Sequence, residues 1–219
     1  MFTLYRNTGE DHLSNMKDKG LDNIPVSWMF HERLSYYNNL GKLGFKEWIF
    51  HSAMLFGSRY KWWGSRGKRE KRHEGLDLCL YRNKEGHIHY IEQRIKIPVL
   101  FDGQVVKIED DFLGESVFIV HSTYNSNGSQ LYTIYGHIRH GIHIHPREKV
   151  VGGDVIGVIA DARKGDAVVP HHLHLSVAWI QDNIKPEEIG WQMMGDSTRV
   201  VLSDPLHMIQ CPYSIVSDI

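Results

Sequence analysis

The chain has 219 residues, 42% of them hydrophobic, and a formal net charge of −1. That length and apolar content supply one good core with room for a small accessory element, and they exclude a disordered chain. The near-neutral balance gives no overall attraction to nucleic acid or to an acidic membrane surface, so any anion binding has to come from a local patch.

Residues 1 to about 27 read as irregular and polar, punctuated by Gly9, Gly20 and Pro25. Within them, Met1 to Asn15 carries Arg6, Glu10, Asp11 and His12 and lacks the continuous apolar core of a secretory signal. No later run approaches the ~18 to 20 apolar residues of a membrane span. The expectation is a soluble chain, either non-exported or already processed.

From Trp28 to about Phe56 aromatic and aliphatic residues follow at mixed spacing, which predicts two short helices broken at Gly41 and Gly44 with their apolar faces on the main domain. Lys61 to Arg72 is a basic loop that also holds Trp62 and Trp63. It reads as the solvated rim of an active site, with an anion-binding surface as the alternative. Beyond residue 75 the pattern is that of a β protein. Apolar runs at Ile88 to Ile97, Val99 to Ile108, Ser116 to His121, Leu131 to Tyr135, Val155 to Ala160 and Leu173 to Trp179 are separated by Gly, Asn and Asp turns. With no long helical pattern between them, these runs predict an antiparallel sheet. Cys79 and Cys211 form no CxxC or other zinc-type spacing and are expected to be buried free thiols.

The chemistry concentrates in two motifs, His73-Glu74-Gly75-Leu76-Asp77 and His172-Leu173-His174. Two imidazoles and a carboxylate suit zinc, because three ligands leave a fourth position open for water, as hydrolysis requires. In a strand His172 and His174 share a face, roughly 7 Å apart at Cα, so one can bind metal while the other reaches substrate. Gly75 argues against one helical face for the first motif and permits a bend that brings His73 and Asp77 together. Leu76, Leu78 and Leu80 alternate with Asp77, Cys79 and Tyr81, so Asp77 opens a strand. The other alternating pairs, His87/His89 and His143/His145, follow or precede turn sequences and read as solvated segments. His121, His140 and His171 are assigned no chemical role.

In this order, Phe56-Gly57-Ser58-Arg59, His73-Glu74-Gly75-Leu76-Asp77, Tyr135-Gly136-His137, the glycine-punctuated Gly152 to Gly157 and His172-Leu173-His174 resemble the motifs of the lysostaphin-like, LytM-type zinc metallopeptidases, which cut peptide cross-bridges in bacterial cell walls. The resemblance covers residues 54–180. It implies a mainly β fold, a two-layer antiparallel sheet with a substrate groove, preceded by short helices. It implies one zinc ion held by His73, Asp77 and His174, and catalysis by His137 and His172, whose roles as general base and oxyanion stabiliser are interchangeable at this stage. It further implies hydrolysis of peptide bonds in peptidoglycan, with a peptide or peptidoglycan as partner, no nucleic acid, and a location in the cell envelope or outside the cell. The expected organisation is an N-terminal extension at 1–52 packed on the core, a metallopeptidase domain at 53–185 and a C-terminal tail at 186–219 packed on the core.

The chain departs from that family where Val169-Pro170-His171 precedes the closing motif, Leu175-Ser176 follows it, and Arg163-Lys164-Gly165-Asp166-Ala167 forms the approach. These changes bear on substrate choice and leave the five chemical residues in place. Two other readings remain: a metal-binding regulator or wall-binding module that does not hydrolyse, and a cupin-type iron oxygenase, which the lack of a glutamate shortly after His174 disfavours.

Overall fold

The structure, a computed structural model, describes residues 24–92, 94–161 and 169–216. Residues 1–23 of the irregular stretch expected up to about residue 27, and the approach at Arg163 to Ala167, lie outside the described residues. In chain order the elements are a helix α1 (Trp28–Tyr37) and strands β1 (Phe45–His51), β2 (Leu76–Leu78), β3 (Leu80–Asn83), β4 (Ile88–Tyr90), β5 (Lys96–Pro98) and β6 (Gly103–Asp110). There follow β7 (Glu115–Tyr124), β8 (Ser129–His140), β9 (Lys149–Val150), β10 (Val155–Ile159), β11 (Leu173–Gln181), β12 (Val200–Ser203) and β13 (Tyr213–Val216). The protein is mainly β. No helix of the described residues is long and apolar enough to cross a membrane.

Helix α1 begins at Ser27, whose hydroxyl accepts from the Phe30 backbone N–H at 3.2 Å and donates to the Leu100 carbonyl at 3.0 Å, so the cap also docks the helix. Phe30 and Leu34 bury the inward face. At the other end the Asn38 side chain bridges the Leu34 carbonyl and the backbone of Lys96 in β5. The second helix expected before Phe56 is instead strand β1. Its central residues Trp48, Ile49 and Phe50 are all buried, a run without helical period, because β1 pairs with β3 on one edge and β13 on the other. A strand covered on both faces loses the polar alternation by which it would be recognised.

Two sheets carry the fold. The smaller has the order β13-β1-β3-β4, and the larger runs β12-β11-β8-β7-β6-β9, with β10 joining β5 and β8, and β2 added to β11. All pairings are antiparallel except β1 with β13. One core joins the layers: Trp48, Phe50 and Leu80 of the small sheet with Val117, Tyr135 and Leu175 of the large one, together with Phe30 and Leu34. The opposite face of the large sheet is covered by the segment after β11, where Ile189, Met193 and Met194 pack on Phe118, Ile134 and Ile180. The expected run Ile88 to Ile97 is split, since β4 pairs with β3 in the small sheet while β5 pairs with β10 in the large one.

Candidate functional site

Register places the first two site residues. Strand β2 lies antiparallel to β11 with Asp77 opposite His174, and His174 in turn lies opposite Gly136 of β8. Asp77 and His174 therefore project on the face of the large sheet that also carries Ser176, Ala178 and Ile180, while Leu76, Leu78 and Leu175 enter the core between the sheets. Asp77 sits in the middle of the short β2 and not at its start. His73 reaches the same point from the preceding turn, its backbone N–H bonded to the Ser58 carbonyl. Gly75 lies at the expected bend and has a second role there. A Cβ there would meet the Leu175 carbonyl oxygen at 2.3 Å, Ser176 Oγ at 2.6 Å and His174 Nε2 at 2.9 Å, so this position needs the absence of a side chain to let β2 approach β11.

The three candidate metal-binding atoms form a small triangle. His73 Nε2 to Asp77 Oδ1 is 3.0 Å, His174 Nδ1 to Asp77 Oδ1 is 2.8 Å, and the two ring nitrogens are 3.2 Å apart. His73 Nδ1 is 3.0 Å from the Leu55 carbonyl, which can only accept, so Nδ1 carries the hydrogen and Nε2 a lone pair. His174 Nε2 is 2.9 Å from Ser176 Oγ, and donation there leaves Nδ1 with its lone pair. Three lone-pair atoms this close, all buried, repel one another unless a positive charge is shared between them. The donor set of two imidazoles and a carboxylate, each ring anchored through its far nitrogen, could hold a metal ion and fits the residue types of an open zinc site.

The carboxylate is anchored as well. Asp77 Oδ2 accepts from the Trp62 indole N–H at 2.7 Å and lies 3.6 Å from the Arg69 guanidinium, which sits 4.6 Å above the Trp63 ring. Burial by itself would raise the Asp77 carboxyl, but His73, His172 and His174 reverse this and hold it well below the usual carboxylate range. His174 is held below the ordinary imidazole value by burial, against the opposing pull of Asp77.

His172 precedes β11 by one residue and shares the His174 face. Its Nδ1 donates to the Pro170 carbonyl at 2.8 Å, which leaves Nε2 as a lone pair 3.8 Å from Asp77 Oδ1. Burial pushes its pKa down to about 3, so the ring is neutral at pH 7.

His137 arrives by a less regular route. Strict alternation along β8 would put it on the same side as Tyr135, whose hydroxyl is in the inter-sheet core and accepts from the Leu100 N–H at 2.8 Å. A bulge intervenes: Val117 faces Tyr135 but Glu115 faces Ile138, so Ser116 alone opposes both Gly136 and His137. His137 takes φ = +62°, a left-handed conformation unusual for a residue with a side chain, and turns into the cleft, its ring centroid 4.7 Å from that of His172.

Asp111 holds it there. One carboxylate oxygen accepts from His137 Nδ1 at 3.0 Å and from the N–H groups of Leu113 and Gly114, and the other accepts from the His137 backbone N–H at 2.8 Å and from Ser116 Oγ at 2.7 Å. Burial opposes ionisation of Asp111, yet the hydrogen bonds and charge of His137 and the Ser116 bond lower its pKa. Sequence reasoning missed Asp111. The turn Asp111-Phe112-Leu113-Gly114 was its sole local signal, and turn aspartates are common.

Asp77, His137, His172 and His174 line one cleft of about 470 Å³ with aromatic walls from Trp63, Phe112 and Trp191, while His73 is buried behind Asp77 and His174. Phe112 meets His137 edge-on at 4.8 Å and Trp191 meets His174 at 5.5 Å. Trp191 also donates from its indole to Ser116 Oγ at 2.9 Å. The other histidines stand apart. His121 is buried between the Asp102 carbonyl and Thr133 Oγ1, His140 pairs with Glu115, and His143 and His145 are exposed. His87 is exposed, while His89 is half-buried and stacks on Tyr81. Cys79 and Cys211 are free thiols, and burial pushes Cys211 up to about 12.

No protein-family model matches the chain, and no curated protein does. Among solved structures, it is similar to the catalytic domain of the antimicrobial peptidase lysostaphin from Staphylococcus simulans, with 14% identity and a TM-score of 0.43, covering 80% of this chain and 95% of that one. It is also similar to LytU, with 16% identity and a TM-score of 0.41 over 71% of this chain and 83% of the other. A third is a putative glycyl-glycine endopeptidase LytM from Ruminococcus gnavus, with 19% identity and a TM-score of 0.40 over 65% and 51%.

Proposed function

We propose that this protein is a zinc-dependent endopeptidase that hydrolyses peptide bonds in peptidoglycan stem peptides or cross-bridges. The observation that carries the reading is the triangle of lone-pair atoms from His73, Asp77 and His174 beside two further histidines that are not part of it. A structural metal site would have no use for the second pair. His73, Asp77 and His174 would hold the zinc ion, which would supply a Lewis acid to polarise a carbonyl and lower the pKa of water.

The chain's own residues supply the proton chemistry. His172, with Nδ1 committed to the Pro170 carbonyl and Nε2 left as a lone pair, is the general base that takes a proton from the attacking water. His137, with Asp111 opposite Nδ1, can hold a proton on Nε2, the form that hydrogen-bonds a developing oxyanion and delivers a proton to the leaving amine. Trp62 and Phe112 meet the rings of His172 and His137 edge-on and fix them, so a substrate carbonyl meets groups already oriented. The presence of both histidines, each anchored through Nδ1, favours hydrolysis over a silent binding module.

The test combines metal analysis with digestion of peptidoglycan and of glycine-rich peptides, with and without chelator. His174→Ala is expected to lose both zinc and hydrolysis, whereas His172→Ala keeps zinc and loses at least ~100-fold in rate. Equal zinc contents in the two variants, or digestion that survives chelation, would overturn the assignment.

A further inference from the structure

The basic loop is not absorbed by this chemistry. Residues 59–72 hold seven cationic side chains against the single acid Glu70, a local balance of +6 in a chain whose total is −1. Arg69 is engaged, by Trp63, Asp77 and the carbonyls of Ala53 and Tyr60. Arg59, Lys61, Lys68, Lys71 and Arg72 meet no carboxylate at ion-pair distance among the described residues. Lys71 is the one that faces the cleft. Its side chain packs over Gly195, where a Cβ would meet Nζ at 3.0 Å, and it lines the cleft with Trp191 and Gln192.

Beyond Arg69 and Lys71, which it shares with the catalytic cleft, lies a second cavity of about 360 Å³ lined by Arg59, Lys68 and Arg72, with Glu70 its one acid. The acids of the cleft itself are largely committed. Asp77 is held by His73, His174 and Trp62, and Asp111 by His137 and Ser116. Glu74 also lines the cleft and, with Asp77, acts on Arg69, whereas Lys71 meets no carboxylate at ion-pair distance among the described residues.

We propose that Lys71 and the cavity behind it form an anion subsite, and that the protein selects peptides bearing a free carboxylate beside the bond that is cut. The proposal rests on the peptidase reading and adds its substrate class. An ammonium is a point charge suited to a single carboxylate, and Glu70 and Glu74 on the same surface disfavour a long polyanion threading past it.

The experiment uses the peptides Gly-Gly-Glu-Gly-Gly and Gly-Gly-Gln-Gly-Gly, which differ by a charge at nearly constant shape. Cleavage is measured on the zinc-loaded protein, and binding on His172→Ala through tryptophan fluorescence, for which Trp63 beneath Arg69 is the reporter. Wild type is expected to favour the Glu peptide about tenfold in kcat/KM, a preference that shrinks as salt rises. Lys71→Gln is expected to bring the ratio near one, and Lys149→Gln, on the exposed β9, to leave it unchanged. Equal binding and equal cleavage of the two peptides overturn the subsite and leave the peptidase reading standing. Preferential binding of the Glu peptide without cleavage of either does the reverse. Preference for inorganic polyphosphate over the Glu peptide, or no binding of any probe, also overturns the subsite.

Discussion

The contact between Asp111 and His137 offers the sharpest test of how the site works. In Asp111→Asn one oxygen becomes an NH2 group, and the surroundings accept neither orientation. Placed toward the first oxygen's partners, the amide faces three donors, from Leu113, Gly114 and His137 Nδ1. Placed toward the other, it faces the His137 backbone N–H and Ser116 Oγ, of which only the hydroxyl can turn to accept. The second orientation is therefore preferred, and it strands one buried N–H at a residue already in a left-handed conformation. The stranded donor costs about 1–3 kcal/mol in stability. Loss of the charged partner also frees the ring to rotate or change tautomer, and a positioned proton-transfer group contributes ~10²–10⁴ in rate. A fall in kcat of about 100-fold, equivalent to ~2.7 kcal/mol, is expected, with zinc content unchanged because Asp111 touches no candidate metal-binding atom. Steady-state kinetics on Asp111→Asn, His137→Ala and the double variant decide the matter: the double variant should be no slower than His137→Ala. Additive losses, or a single variant within twofold of wild type, would refute the positioning role.

Three other outcomes are expected. Gly75→Ala forces a methyl group against the Leu175 carbonyl and the His174 ring, so it should cost about 3 kcal/mol in urea unfolding and weaken zinc binding; wild-type stability would show that β2 has room to move. Trp62→Phe removes the indole donor from Asp77 Oδ2 and should raise the zinc dissociation constant at least ~10-fold by competition titration, an unchanged constant counting against the anchor. In chelator-treated protein, His31, His121, His172 and His174 are all lowered by burial, so the unfolded chain takes up protons near pH 6.5 that the folded chain does not. Their contribution is fully present above pH 6.5 and is lost as pH falls toward the folded values, at about 1.4 kcal/mol per pH unit for each proton. A urea midpoint constant between pH 7 and 5 would contradict this.

Alternation was enough to place part of the site. The period of two puts His172 with His174 on one face, and the leucines around Asp77 on the other, whatever the strands later pair with. Local sequence failed where a partner decided the outcome. Phe45 to His51 became a strand because β3 and β13 lie on its two edges, and Ile88 to Ile97 was divided between two sheets.

The sequence by itself determined the β class and the face that two of the histidines share, because each follows from side-chain type and strand period, while the metal-binding candidates His73, Asp77 and His174 came from the family resemblance of its motifs. The resemblance also named His137, but only the tertiary structure shows how it reaches the cleft, since its direction depends on a bulge created by the register of β7 against β8. It likewise decided that Asp111 backs His137, that Trp62 anchors Asp77 and that Gly75 serves close approach as well as bending. Those are contacts between segments distant in the chain, and no local period encodes which donor will find which acceptor once the sheets close.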